Sequence, residues 1–146
     1  MKTIGNWGCL LVAYNNQARY LRLCLDTPPQ FLQRMRTAGA MSGPYLLPGA
    51  LATAFPGSVR YDGYLIRSDA MRDKIRQYVD RLLPVPARVD FNPATGQWEQ
   101  HWVLIIGYDE ADWLIADPWH GDVVWASQRY DITGDDVLEA LFYAPV

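Results

Sequence analysis

Lysine is nearly missing from this chain: Lys2 and Lys74 are the only two, and every other basic residue is arginine. No charge imbalance follows. Thirteen basic and sixteen acidic residues leave a formal charge of −3, which gives no reason to expect nucleic acid or an anionic membrane as partner. Long apolar runs are missing too, since no stretch approaches the roughly 20 residues needed to span a bilayer. The N-terminus has one lysine and a short apolar run without a cleavage-site pattern, so no signal peptide is expected. These absences lead us to expect a cytoplasmic chain, one exported without a recognisable signal, or a domain cut from something longer. Cysteine is scarce as well, and Cys9 and Cys24 make no disulfide framework. On one helix they would lie about 22 Å apart, beyond bridging distance, so both are expected as free thiols.

What is present fits an ordinary globular protein. Half of the 146 residues are apolar and a fifth are charged, enough for a single domain over 1–146 with a normal core. The first half reads mostly helical. Leu10, Leu11, Tyr14, Ala18 and Leu21 form an amphipathic stripe over 9–23, with Asn6 as N-cap and Cys9 in the first turn. Thr27 caps a second helix, Pro28 takes its first position and Gly39 stops it. A third, from Ser68 to Leu83, aligns Met71, Ile75, Tyr78, Val79 and Leu82 on one face and ends at Pro84. The Gly- and Pro-rich segment Ser42 to Gly57 reads as loop with one short helix around Ala50–Phe55.

The second half changes period. Val85–Phe91, Trp98–Tyr108, Trp113–Ala116 and Val123–Ala126 read as strands, separated by turn chemistry at Asn92–Gly96, Asp109–Asp112 and His120–Asp122. The expected architecture is α+β, with N-terminal helices packed on an antiparallel sheet from the C-terminal half.

Three residues carry chemistry. Cys9 opens a helix, His101 heads an apolar strand, and Asp117 closes the next strand. A thiol is only a few per cent ionised at neutral pH, and catalytic cysteines are activated by a helix N-terminus or a neighbouring imidazolium. Alone, each residue has a bland reading: a small buried cysteine, a satisfied structural histidine, an Asp-Pro turn opener. A hairpin folded at Asp109–Asp112 puts His101 opposite residues 118–120, within reach of Asp117. Jointly they supply a nucleophile, its proton carrier and the group that orients the carrier.

The flanking text then carries a resemblance. Gly8-Cys9 at a helix start, His101 through Gly107-Tyr108-Asp109, and Asp117-Pro118 resemble the papain-like cysteine peptidases. They are most similar to the bacteriocin-processing (double-glycine leader) peptidases and their stand-alone relatives. Thr27-Pro28 and Pro86 extend the similarity over nearly the whole chain. The resemblance implies a papain-like fold, Cys9, His101 and Asp117 as catalytic triad, no cofactor or metal, and a peptide or protein substrate. It also implies that Trp119 shields the orienting hydrogen bond. Where the family usually carries an oxyanion-holding Gln, this chain has Thr3. The Cys9 N–H and the Asn6 side chain are the remaining donors, and Gly8 leaves room for a substrate backbone. Losing one oxyanion donor costs about 10²–10³ in rate.

Other candidates are weaker. Cys9, His101, Asp117 and His120 match no zinc spacing, and a metal would silence the thiolate. Trp7, Trp98, Trp102 and Trp119 read as core and cleft-edge packing before they read as a stacking surface. The pairs Arg19/Arg22 and Arg34/Arg36 read as solvated helix faces. The functional expectation is a cysteine peptidase working through a thioester. The alternatives are another amide acyl-transfer enzyme on the same site (peptidoglycan hydrolase, deamidase or transglutaminase-like toxin) and an inactive relative serving as a binding domain.

Overall fold

A six-stranded antiparallel sheet organises the computed structural model, which describes residues 9–90, 100–110, 112–117, 121–129 and 137–146. In chain order the elements are α1 (Cys9–Tyr20), α2 (Pro28–Thr37), the short strands β1 (Met41–Ser42) and β2 (Tyr45–Leu46), and α3 (Ala50–Ala54). There follow β3 (Val59–Ile66), α4 (Asp69–Asp80), β4 (Val85–Asp90), β5 (Gln100–Tyr108), β6 (Trp113–Asp117), β7 (Asp122–Trp125), α5 (Ala126–Arg129) and β8 (Val137–Pro145). The sheet runs β3-β8-β4-β5-β6-β7, while β1 and β2 pair only with each other. The expected meander is the half from β4 to β7.

The expectation of a sheet built from the C-terminal half alone needs correction. Strand β3 comes from the N-terminal half and forms one edge, and β8 inserts between it and β4. Neither displays a clean period of two. A bulge between Tyr61 and Gly63 breaks the alternation of β3. Strand β8 is central, so Ala140, Leu141, Phe142, Tyr143 and Ala144 are all buried and no polar face marks it as a strand.

Alternate residues of the sheet sort into two apolar clusters, so helices cover both faces. Val85, Ala87, Val103, Ile105, Ala140 and Phe142 pack with Met71 and Ile75 of α4 and with Ala126 of α5. Leu141, Tyr143 and half-buried Trp102 pack with Leu11, Tyr14 and Ala18 of α1, Phe31 and Met35 of α2, and Leu51 of α3.

The helices begin and end for local reasons. The Ser68 hydroxyl accepts the Met71 N–H at 3.1 Å and starts α4. The Gln30 side chain accepts the Thr27 N–H at 2.9 Å and starts α2. At the end of α2, Gly39 turns left-handed (φ +73°), with Gly39 N–H bonded to Arg36 O and Ala40 N–H to Met35 O. The same closure ends α1 at Arg22 (φ 58°) and α4 at Leu82 (φ 61°), with no glycine to announce it. Leu82 therefore leaves the apolar face assigned to it. It is 88% exposed, and Leu83 takes the buried position.

The arginine pairs are exposed but not idle. Arg19 bonds the carbonyls of Leu25 and Asp26, and Arg34 forks onto the Asp26 carboxylate at 2.6 and 3.1 Å. That hydrogen bond holds Asp26 below the usual carboxylate range. Asn6, Gly8, Thr3, Trp7, Trp98, Pro118, Trp119, His120 and the turn at 92–96 lie outside the described residues. Among the described residues, no helix is long and apolar enough to cross a membrane.

Candidate active site

Cys9 is carried by a helix buried on most of its sides. Leu11, Tyr14 and Ala18 face the apolar cluster beneath it, while Ala13, Asn15 and Gln17 are also buried. A helix placed this way must find partners for its polar side chains inside the protein, and it does for all but Gln17 Oε1. Asn15 Nδ2 donates to Asp26 O at 3.0 Å and Gln17 Nε2 donates to Pro84 O at 3.1 Å. The hydroxyls of Tyr14 and Tyr143 are 2.7 Å apart, with the rings edge to face. These directional contacts fix the rotation of α1 about its axis, and so the heading of Cys9.

The other two residues are set by the β5–β6 hairpin. Leu104 pairs with Ala116 and Ile105 with Ile115, then the register slips by one residue so that Gly107 pairs with Leu114. A Cβ on Gly107 would meet Leu114 Cβ at 3.2 Å, so glycine lets the strands close here. Extending the first register places Asp117 across from Val103, two residues along the same face from His101. Such diagonal neighbours are near enough for long side chains to touch.

The three side chains meet. His101 Nδ1 lies 3.1 Å from Cys9 Sγ, and His101 Nε2 lies 3.1 Å from Asp117 Oδ1. His101 is 4% exposed and Asp117 1%. The nitrogens are used the opposite way round from the serine-protease template, in which Nε2 faces the nucleophile. Burial alone pulls the His101 pKa down. The hydrogen bonds to Asp117 and Cys9, with their charges, outweigh it and push the pKa up to about 9. The imidazole is thus held as imidazolium at neutral pH. Cys9 and Cys24 are both free and half-buried.

A fourth residue, absent from the sequence reading, joins the group. Arg129 Nη1 donates to Asp117 Oδ2 at 3.1 Å, and the same guanidinium forks onto Asp122 at 2.5 and 2.8 Å. Asp122 lies across the β6–β7 pair from Asp117. No motif flags Arg129, because α5 is a single turn and the contact depends on how that turn docks. A cleft of about 260 Å³ opens beside Asp117, between Val12, Asn16 and Tyr20 of α1 and the β6–β7 hairpin. Among the described residues, no group of three or more His, Cys, Asp or Glu is arranged to hold a metal. Asn6, Gly8 and Trp119, expected around the oxyanion and the histidine, fall outside the described residues.

A crystal structure of a Bacillus anthracis protein proposed to be a C39-like peptidase superposes with a TM-score of 0.57 over 95% of this chain and 90% of that one. The fold matches that of a C39-like peptidase. Identity is 13%, so the likeness is one of architecture: helices against an antiparallel sheet. No family model and no curated protein matches the chain.

Proposed function

We propose that this chain is a cysteine peptidase hydrolysing peptide bonds through Cys9, His101 and Asp117. The observation that carries the proposal is the relay from sulfur to imidazole to buried carboxylate, at 3.1 Å for each step. The C39-like fold supports it. In this mechanism the proton of the Cys9 thiol already rests on His101 Nδ1, so the pair is a thiolate beside an imidazolium before substrate arrives. Sulfur attacks the amide carbon, and the C–N bond breaks as Nδ1 returns the proton to the leaving amine. A water then gives its proton to Nδ1 as its oxygen attacks the thioester. The acid departs and the sulfur anion is restored. Asp117 keeps the ring oriented and stabilises its charge.

We assign the oxyanion to the Cys9 N–H and the Asn6 side chain, with Gly8 giving access to the substrate backbone and Trp119 covering the histidine. First-turn N–H groups have no partner within their helix, which leaves them available to an oxyanion. Following the resemblance, double-glycine leader peptides or other proteins are the proposed substrates. The test is iodoacetamide labelling at pH 6 followed by peptide mapping, with the alkylated and Cys9→Ala proteins assayed on casein. Stoichiometric modification of Cys9 but not Cys24, with loss of casein cleavage, is expected. Equal reactivity of the two thiols would end the catalytic reading. Cleavage of cell wall, or deamidation of a glutaminyl peptide, in place of casein would move the activity to another amide.

A further inference from the structure

We infer that Arg129 is a positioning residue of the proposed triad: its guanidinium, aimed by Asp122, holds the buried Asp117 carboxylate so that Oδ1 faces His101. The inference rests on the catalytic reading above and adds a member to it. A carboxylate torsion is broad and two-fold, so its orientation depends on what its two oxygens bond. Asp117 borders the 260 Å³ cleft, with its side chain itself fully buried. Arg129 bonds the second oxygen, Oδ2. A buried carboxylate also needs a charged or hydrogen-bonded partner to stay ionised.

The element carrying Arg129 is itself pinned. Ala126 is buried in the apolar cluster under α4. Asp112 accepts the Ser127 N–H at 3.1 Å and the Ser127 hydroxyl, and also the Trp113 N–H at 2.8 Å, so it ties α5 to the start of β6. Gln128 Oε1 accepts the Trp125 N–H at 3.3 Å. Asp122 then engages both terminal nitrogens of Arg129, which sets the plane of the fork. These contacts give the guanidinium a fixed aim that an arginine paired only in solvent lacks.

Three roles for Arg129 predict different behaviour of His101. Among the described residues, the charged and titratable groups arrayed about that ring are Cys9 from α1 and Asp117 from β6, and behind the acid Arg129 from α5 and Asp122 from β7. If Arg129 positions the acid, removing it lets the carboxylate turn away, and His101 loses the partner that keeps it protonated. If Arg129 acts only as a positive charge, removing it strengthens the field of Asp117 on the imidazolium, and the titration moves up. If Arg129 serves stability alone, the titration does not move.

The experiment is an NMR titration of the His101 ring in the full chain, which has two histidines to assign, for wild type, Arg129→Met, Arg129→Lys and Asp122→Asn. The midpoint is expected to fall from about 9 by at least about one pH unit in Arg129→Met. Arg129→Lys should recover part of the fall, since it keeps the charge and loses the fork. On casein, kcat should drop about tenfold or more in Arg129→Met with KM little changed. An unchanged or rising midpoint overturns the inference, whatever happens to the melting temperature. Should Arg129→Met fail to fold, Asp122→Asn decides: a smaller shift downward supports the inference and no shift overturns it. The ring titration needs no peptidase activity, so it reports on Arg129 even if Cys9→Ala still cleaves casein and the peptidase reading fails.

Discussion

Helices α1 and α4 have the same length, twelve residues, and cover opposite faces of one sheet, yet they are held in different ways. α4 buries one stripe (Met71, Ile75, Tyr78 and Val79) and turns Asp69–Arg72 and Asp73–Arg76 pairs to solvent. Its attachment is mostly apolar, with two tyrosine–carboxylate bonds at its margin, Tyr78 to Asp62 and Tyr108 to Asp80. α1 is buried nearly all round and is pinned by Tyr14, Asn15 and Gln17 to three separate parts of the chain. Apolar burial is non-directional and sets how strongly a helix is held. Hydrogen bonds have an angle and set how it is aimed. The helix that presents the sulfur is aimed from within the core, through the buried bonds of Tyr14 and Gln17.

The largest way to sharpen this contrast is through the acid that completes the relay. Asp117→Asn should leave the fold in place and lower kcat by up to about 10⁴, the loss seen when the acid of a serine-protease triad becomes an amide. The alkaline limb of kcat/KM should move below about 9, because the His101 pKa is raised largely by Asp117. The same change has a thermodynamic sign. A raised pKa adds stability that is complete below the unfolded value near 6.5 and is lost as pH climbs through about 9. Denaturant titrations at pH 6.5 and pH 9.5 should therefore differ in the wild type and differ less in Asp117→Asn. Equal slopes in the two proteins would contradict the assignment.

Next in size is a pair of substitutions, one in each helix. Met71→Ala should cost about 2–5 kcal/mol, as cavity-forming core changes do. It should not alter the rate of Cys9 alkylation per folded molecule. Tyr14→Phe should cost about 0.5–1.5 kcal/mol, because it removes the hydroxyl pair while the Leu51 backbone still bonds Tyr143. Here alkylation at Cys9 should slow as well. If both variants change alkylation alike, aim and strength of attachment are not separable in this protein.

The smallest effect belongs to a helix end. Leu82 holds a left-handed conformation with its side chain 88% exposed, so Leu82→Gly should relieve strain at little packing cost. The expected gain is about 0.5–1 kcal/mol by thermal melting, the αL penalty less the extra freedom of glycine in the unfolded chain. Activity should not change.

How legible the protein was depended on where the signals reside. α2 and α4 were readable because Thr27-Pro28, Gly39 and Ser68 are local devices acting within one turn. The pairing of β5 with β6 followed from the turn at Asp109–Asp112, which brings His101 and Asp117 to one face. The ends of α1 and α4 were overrun because Arg22 and Leu82 adopt a conformation that their side chains do not advertise. Strand β8 went unread because a segment buried on both faces has no alternation to read, and its Leu, Glu and Ala suit a helix as well.

The division follows from the range of the forces. Taken alone, the order of residues determined the helix stripes, the turn chemistry, the strand hairpin and the identity of a thiol, an imidazole and an acid at matched element ends. These are properties of spacing, decided within a few residues of chain. Tertiary structure alone decided that β3 and β8 complete the sheet beside β4. It also decided that α1 is rotated so that its first residue meets His101, and that Arg129 arrives behind Asp117. Each of those depends on groups far apart in the chain finding one another through burial and directional bonding, and no local pattern records the outcome.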